Sequence, residues 1–233
     1  MKVEVLADPE AVAKRAATLV AEHARAAVKA RGRFTFAVSG GHTPWVMLRE
    51  LAGKKVPWNE VHVVQVDERV APADSDERNF KHLRESLLSH VPLPPGNLHA
   101  MPVEADDLPA AAAQYARTLE RLAGSPPALD LIHLGLGPDG HTASLVPGDA
   151  VLEVSDAWVA LTAGLYQGRR RMTLTYPVLD RARCVLWLVA GAEKVDALSR
   201  LQRHDRSIPA GRVRQDGAIV VADRAAAAGL GEH

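Results

Sequence analysis

A strand-like run that empties into a glycine-rich turn constrains this chain more than any other stretch. Leu129-Asp-Leu-Ile-His-Leu134 reads as a buried strand, and Gly135-Leu-Gly-Pro-Asp-Gly-His141-Thr-Ala-Ser144 follows it directly. Gly135, Gly137 and Gly140 are expected to let the backbone take positive φ and approach a ligand closely. In open α/β sheets, ligands bind outside the carboxyl ends of the strands. Asp139 and His141 therefore stand where chemistry usually sits, and an imidazole titrates near neutral pH. A tight turn with one surface His needs fewer small and reactive residues than this run carries, so a functional loop is favoured.

Strand-like and helix-like segments alternate along the rest of the chain. Asp8-Pro9 predicts the cap and first turn of an Ala-rich helix over about 9–30, stopped at Gly32. A strand over 34–38 leads into the turn Ser39-Gly-Gly-His-Thr43, and Pro44 is read as opening a helix to Leu51. Further strands are expected over 61–66, 129–134, 157–161, 171–175, 184–189 and 218–221, with the first of them ending at Asp67-Glu-Arg69. Helices are expected over 79–89, 108–123 and 193–202, with a short Ala-rich one after Asp223. Cys184-Val-Leu-Trp-Leu-Val189 is apolar almost throughout, as a strand covered on both faces should be. This alternation predicts a Rossmann-like, doubly wound α/β fold: a mostly parallel sheet with helices on both faces.

No Pro/Gly/Ser-rich linker interrupts the 233 residues, so one domain over 1–233 is expected. Lys+Arg and Asp+Glu number 28 each. That balance argues against a general nucleic-acid or membrane-surface binder. The single cysteine, Cys184, lies in an apolar run and reads as a small buried hydrophobe. With no partner for an internal disulfide, a reducing compartment fits. The N-terminus lacks the apolar core of a signal peptide. No apolar run reaches the ~20 residues of a membrane span. A cytoplasmic location is the resulting expectation.

Several strand ends carry polar clusters that a doubly wound fold would gather at one edge. Ser39-Gly40-Gly41-His42-Thr43-Pro44 offers hydroxyls and backbone N–H groups at a helix N-terminus, which suits a phosphate monoester. It is neither a P-loop nor a dinucleotide fingerprint. Asp67-Glu68-Arg69 puts three charges where a buried strand emerges: Asp67 is suited to a substrate hydroxyl and Arg69 to a phosphate or carbonyl oxygen, the alternative being an exposed loop with one surface ion pair. Asn79 stands where a helix begins and can cap it or reach the site. In Arg169-Arg-Arg171 at most two side chains share a strand face. Lys194 follows Gly191 at a helix start, where the dipole disfavours a cation, which points toward service to an anion beside the common reading of a surface Lys. No His/Cys array, H-E-x-x-H or G-x-S-x-G elbow is present.

Ser39-Gly-Gly-His-Thr-Pro44, Val66-Asp-Glu-Arg69 with Asn79, Leu134-Gly-Leu-Gly-Pro-Asp-Gly-His-Thr-Ala-Ser-Leu145 and Arg171-Met-Thr-Leu-Thr175 occur in that order. Together they resemble the 6-phosphogluconolactonase family over nearly the whole chain, and Gly137-Pro-Asp-Gly-His-Thr-Ala-Ser144 is the most specific element. The broader superfamily also holds glucosamine-6-phosphate deaminase, which shares the Asp-Gly-His core. The resemblance implies metal-independent hydrolysis of a sugar-phosphate lactone, without cofactor, by a monomer or small homo-oligomer. It implies His141 as catalytic base, with Asp139 and Arg69 beside it. It places Ser39, Gly40, Gly41, His42, Thr43, Asp67, Asn79, Gly137, Gly140, Arg171 and Lys194 around the substrate. Asp139, two residues from His141, is assigned to organising the loop rather than orienting the ring. Val146 stands where the family usually has Phe, and Tyr166-Gln-Gly-Arg-Arg170 lacks a customary proline. Arg169, Arg170, Arg171 and Lys194 all stay open as phosphate contacts. Two other readings remain: an amino-sugar-phosphate deaminase or isomerase using Asp67 as base, and a non-catalytic sugar-phosphate sensor. The sensor ranks last, for want of a basic helix-turn-helix.

Overall fold

The computed structural model describes residues 1–231; the last two positions of the expected 1–233 domain lie outside them. In chain order the strands are β1 (Lys2–Leu6), β2 (Phe34–Val38), β3 (Val61–Gln65), β4 (Asp67–Arg69), β5 (Leu98–His99), β6 (Leu131–Gly135), β7 (Val159–Leu161), β8 (Arg171–Leu174), β9 (Val185–Val189) and β10 (Ile219–Asp223). The helices are α1 (Pro9–Arg31), α2 (His42–Ala52), α3 (Asn79–Ser86), α4 (Leu108–Ala123), α5 (Tyr176–Leu179), α6 (Val195–Gln202) and α7 (Pro209–Arg212), with short 3-10 turns between.

Among the described residues, seven strands form one sheet in the order β1-β10-β9-β6-β2-β3-β5, with every neighbouring pair parallel. From β2 the chain winds outward through β3 and β5; from β6 it winds the other way through β9 and β10. The order reverses between β2 and β6, the switch point at which open α/β sheets bind ligands. These two strands pair only at Phe36–Leu131 and Ala37–Ile132. Below that contact Asp130 staples them, its carboxylate accepting from the Thr35 amide and hydroxyl at 2.8 and 2.9 Å.

Side-chain alternation divides the interior in two. Phe34, Phe36 and Val38 of β2 and Leu186 and Leu188 of β9 meet α1, α2 and α3 on one face. Val185, Trp187 and Val189 of β9 and Ile132 and Leu134 of β6 meet α4, α5 and α6 on the other. α1 is held as its sequence demands. Asp8 Oδ1 accepts from the Ala11 amide at 2.8 Å, and Gly32 ends the helix at φ 74°. Its buried stripe of Ala13, Ala16, Ala17, Ala21 and Ala24 lets the helix lie close against the sheet.

The structure corrects the expectation for residues 61–69. Asp67–Arg69 is not the end of β3 but a strand of a second, antiparallel three-stranded sheet, β4-β8-β7. Val66 makes the transfer, donating to Val38 O (2.9 Å) and accepting from Leu174 N (2.8 Å). α2 begins at His42 rather than at Pro44, with Gly41 as cap. The expected 79–89 helix ends at Ser86.

Glu68, in the middle of β4, is fully buried. Its carboxylate accepts from the amides of Arg69, Asn79 and Phe80 and from Gln65 Nε2 at 2.7–2.9 Å, and it faces Arg78 Nε at 3.2 Å. Arg78 precedes α3 without a capping side chain, so Glu68 supplies the missing N-cap from eleven residues upstream. A buried carboxylate is tolerable only when its oxygens are filled in this way. Glu68→Gln is expected to lower unfolding free energy in urea by about 3–5 kcal/mol, with a loss below 1 kcal/mol contradicting this role.

Candidate active site

The carboxyl ends of β2, β6 and β9, with β4 and the start of β8, surround a cleft of about 350 Å³ at the switch point, a volume suited to one small polar ligand. Ser39, Gly40, Gly41, His42, Thr43, Asp67, Arg69, Asn79, Gly137, His141, Arg171 and Lys194 all line it. Asp139 and Gly140, the other two expected positions, do not line it.

The Asp139–His141 loop is tighter than its sequence spacing suggests. Gly140 adopts φ 82° with no room for a Cβ beside Ile208, and this bend turns two nearby side chains toward each other. Asp139 Oδ1 lies 2.5 Å from His141 Nδ1 and also accepts the His141 amide at 3.1 Å. Asp139 thus bonds both the backbone and the ring of His141. Burial opposes ionisation of Asp139, yet the bonds from His141 prevail and hold its carboxyl below the usual carboxylate range. An ionised Asp139 fixes the Nδ1–H tautomer and leaves Nε2 with the lone pair. Gly137 must be a glycine for space: a Cβ there would strike the His141 ring and the Asp139 carboxylate. At Gly135 no such demand exists.

Ser39 differs from its expected use. Its hydroxyl donates to His133 O at 3.0 Å and its amide donates to His133 Nδ1 at 3.3 Å, tying β2 to β6 where the strands separate. The turn beyond, Gly40 to Thr43, lines the cleft. Trp45 N, bonded to Gly41 O at 3.1 Å, is the first amide in the α2 ladder. The amides of His42 and Thr43 precede it, at the positive end of the helix dipole. Gly40 touches Asn79, whose amide group would overlap a Cβ at that position.

Arg69 Nη1 bonds Asn79 Oδ1 at 2.5 Å and Glu77 O at 2.9 Å, and Arg171 Nη2 bonds Gln167 Oε1 at 3.0 Å. The Nε donors of both arginines are buried without a partner. Burial, with Arg69 close by, lowers the Arg171 guanidinium below its ordinary value. Two adjacent cations with unfilled donors form a socket for an anion. Of the arginine triplet only Arg171 enters the cleft; Arg169 pairs with Glu77 at 2.7 Å, and Arg170 Nε bonds Thr162 O. Lys194 lies on the 3-10 turn before α6, with Glu193 at 3.8 Å. Among the described residues no group of three or more His, Cys, Asp or Glu side chains converges to hold a metal ion.

The family model for glucosamine-6-phosphate isomerases and 6-phosphogluconolactonases matches residues 7–221. The chain belongs to this family. It is 36% identical to the 6-phosphogluconolactonase of Nostoc sp. over 236 residues, covering 98% of each chain. It is also 36% identical to that of Mycobacterium tuberculosis over 241 residues, again 98% of each. The 6-phosphogluconolactonase of Thermotoga maritima superposes with a TM-score of 0.86 at 29% identity, covering 95% of this chain and 98% of that one. A monomeric glucosamine-6-phosphate deaminase superposes at 0.84, covering 98% of this chain and all of that one. At 20% identity that likeness is one of fold alone.

Within this member of the family, sequence reasoning missed three residues at the site. Ser144 is fully buried and donates to Asp67 Oδ2 at 2.7 Å. Tyr166, on the 162–170 hairpin, places its hydroxyl 3.2 Å from both Asp139 Oδ2 and His141 Nδ1. His133 underlies Ser39, and its position inside an apolar strand hid it among core residues. It is fully buried, and the loss of hydration pushes its imidazole down to about 3.

The His133 shift has a sign that can be tested. The unfolded chain protonates this His near 6.5 and the folded chain does not, so its stabilising effect is present above 6.5 and is lost as pH falls toward about 3. The loss approaches about 1.4 kcal/mol per pH unit within that window. His133→Asn, which keeps an acceptor for Ser39 N, is expected to flatten this part of the stability–pH curve measured in urea. An unchanged slope would contradict the account.

Proposed function

We propose that this chain hydrolyses 6-phospho-D-glucono-1,5-lactone to 6-phospho-D-gluconate, the lactonase step of the oxidative pentose phosphate pathway. The observation that carries this reading is the His141–Asp139 pair facing a cleft that also holds the unfilled donors of Arg69 and Arg171. A general base and an anion socket within one small cleft suit a neutral ester carried on a phosphate. Family membership supports the same chemistry.

The lactone carbonyl is electrophilic, so the enzyme must position a water and take its proton. His141 Nε2 accepts that proton as the water oxygen bonds to C1, and the carbonyl electrons move onto oxygen. Ionised Asp139 stabilises the imidazolium through Nδ1–H. Arg69 Nε and the amides of the glycine-rich loops are the donors for the oxyanion. When the intermediate collapses, the C1 to ring-oxygen bond breaks and His141 returns its proton to the leaving oxygen. The product acid then ionises in water. Arg171, Lys194 and the amides of His42 and Thr43 hold the phosphate, and this remote grip orients C1 beneath the base. Asp67, with one oxygen occupied by Ser144, offers the other to a sugar hydroxyl.

These steps need no metal, and the protein acts as a single domain on a small sugar-phosphate lactone. The lone, buried Cys184 supports a reducing, cytoplasmic setting. No described helix is long and apolar enough to cross a membrane.

Freshly generated lactone, assayed in EDTA against its spontaneous hydrolysis, tests the reading. His141→Asn is expected to lower kcat by about 10²–10⁴-fold with KM little changed. Arg171→Ala is expected to raise KM by roughly ten- to a hundredfold with a smaller effect on kcat. Near-normal turnover in His141→Asn would remove it as base. Ammonia release from glucosamine 6-phosphate, with no lactone turnover, would replace the lactonase reading by a deaminase one.

A further inference from the structure

Tyr166 touches both the His141 loop and Arg171. Its hydroxyl reaches Asp139 Oδ2 and His141 Nδ1, each at 3.2 Å. Its ring meets the His141 ring edge to face, with centroids 5.2 Å apart. The Arg171 guanidinium lies over the same ring at 4.9 Å from its centroid, within cation–π range. The residue sits at the tip of the hairpin between β7 and β8, where Tyr166 and Arg169 pair across a turn and Gln167 takes a positive φ of 53°. Gln167 then accepts from Arg171, so the hairpin grips the arginine twice.

We propose that Tyr166 is a positioning residue for the hydrolysis: its hydroxyl holds Asp139 in register with His141, and its ring fixes the Arg171 guanidinium. This rests on the lactonase reading above, in which His141 is the base and Arg171 an anion anchor. With the Nδ1 proton committed to Asp139 Oδ1, the tyrosine hydroxyl donates to Oδ2. Burial and the Asp139 charge raise the phenol above its ordinary value, so it remains a donor throughout the neutral range. That donated bond draws charge from the carboxylate, and thereby moderates the pull of Asp139 on the imidazolium. The other charged groups facing His141 are Arg171 behind the tyrosine ring, with Asp67, Arg69 and Lys194 lining the same cleft.

Removing the hydroxyl leaves Asp139 with fuller charge, which favours protonated His141. Tyr166→Phe is therefore expected to raise the titration midpoint of His141 by about half a pH unit. NMR of the histidine-labelled protein reads this, with the signal assigned by its loss in His141→Asn. The acid limb of kcat/KM is expected to move up with it, with kcat roughly tenfold lower and KM within about twofold of wild type. Tyr166→Leu, which also removes the platform under Arg171, is expected to raise KM as well. An unmoved His141 midpoint in Tyr166→Phe would overturn the proposal. So would a raised KM with intact kcat in that variant, because it would make the tyrosine a substrate contact. The titration is read on the free protein, so a shifted midpoint without lactone turnover supports the positioning role and fails the lactonase reading alone.

Discussion

The pairing of β2 with β6, and its early end, is the constraint on which the rest of the molecule depends. As a ladder the two strands pair only at Phe36–Leu131 and Ala37–Ile132. Beyond that point successive crossovers carry the chain to opposite sides, and no strand among the described residues fills the gap. A parallel sheet that reverses its order leaves a crevice there for topological reasons. Asp130 staples the chain on the amino-terminal side of that contact, and Ser39 with His133 closes the floor of the gap on the carboxyl side. The loops that leave β2 and β6 are thus anchored at their roots, and a site built on such anchored loops can hold its geometry.

The small antiparallel sheet turns this crevice into a site. It fixes Asp67, Arg69 and Arg171 on strands rather than on loops, and β4 and β8 bring two guanidiniums to one wall. Like charges side by side would be unfavourable in water-poor surroundings unless an anion completes them. Glu68 neutralises the base of the arrangement, through Arg78 and the α3 amides, but points away from the cleft and leaves Arg69 and Arg171 unfilled. The stability of this region and its affinity for an anion therefore arise from separate carboxylate and arginine groups.

Local signals made much of the fold legible. Asp8-Pro9 and Gly32 bounded α1, and the apolar runs before Gly135 and after Arg183 marked β6 and β9. The polar clusters at strand ends were legible too, because a parallel sheet brings its carboxyl ends to one edge. The second sheet was not, since Asp67 pairs with Thr173 across about a hundred residues and nothing local signals that partnership. The Asp139–His141 contact was missed because spacing alone does not reveal the bend at Gly140. Tyr166 lies on a short hairpin with no periodicity, and His133 is one polar residue in an apolar strand. Their roles come from tertiary neighbours.

The proposed hydrolysis depends on one orientation of the substrate: phosphate toward Arg171 and the α2 amides, reacting carbon toward His141. A crystal structure of the complex with 6-phospho-D-gluconate tests it most directly. Phosphate oxygens are expected to bond Arg171 and the amides of His42 or Thr43, with C1 or its oxygens within about 3.5 Å of His141 Nε2. The reverse placement, with phosphate against His141 and the carboxylate on Arg171, would contradict it.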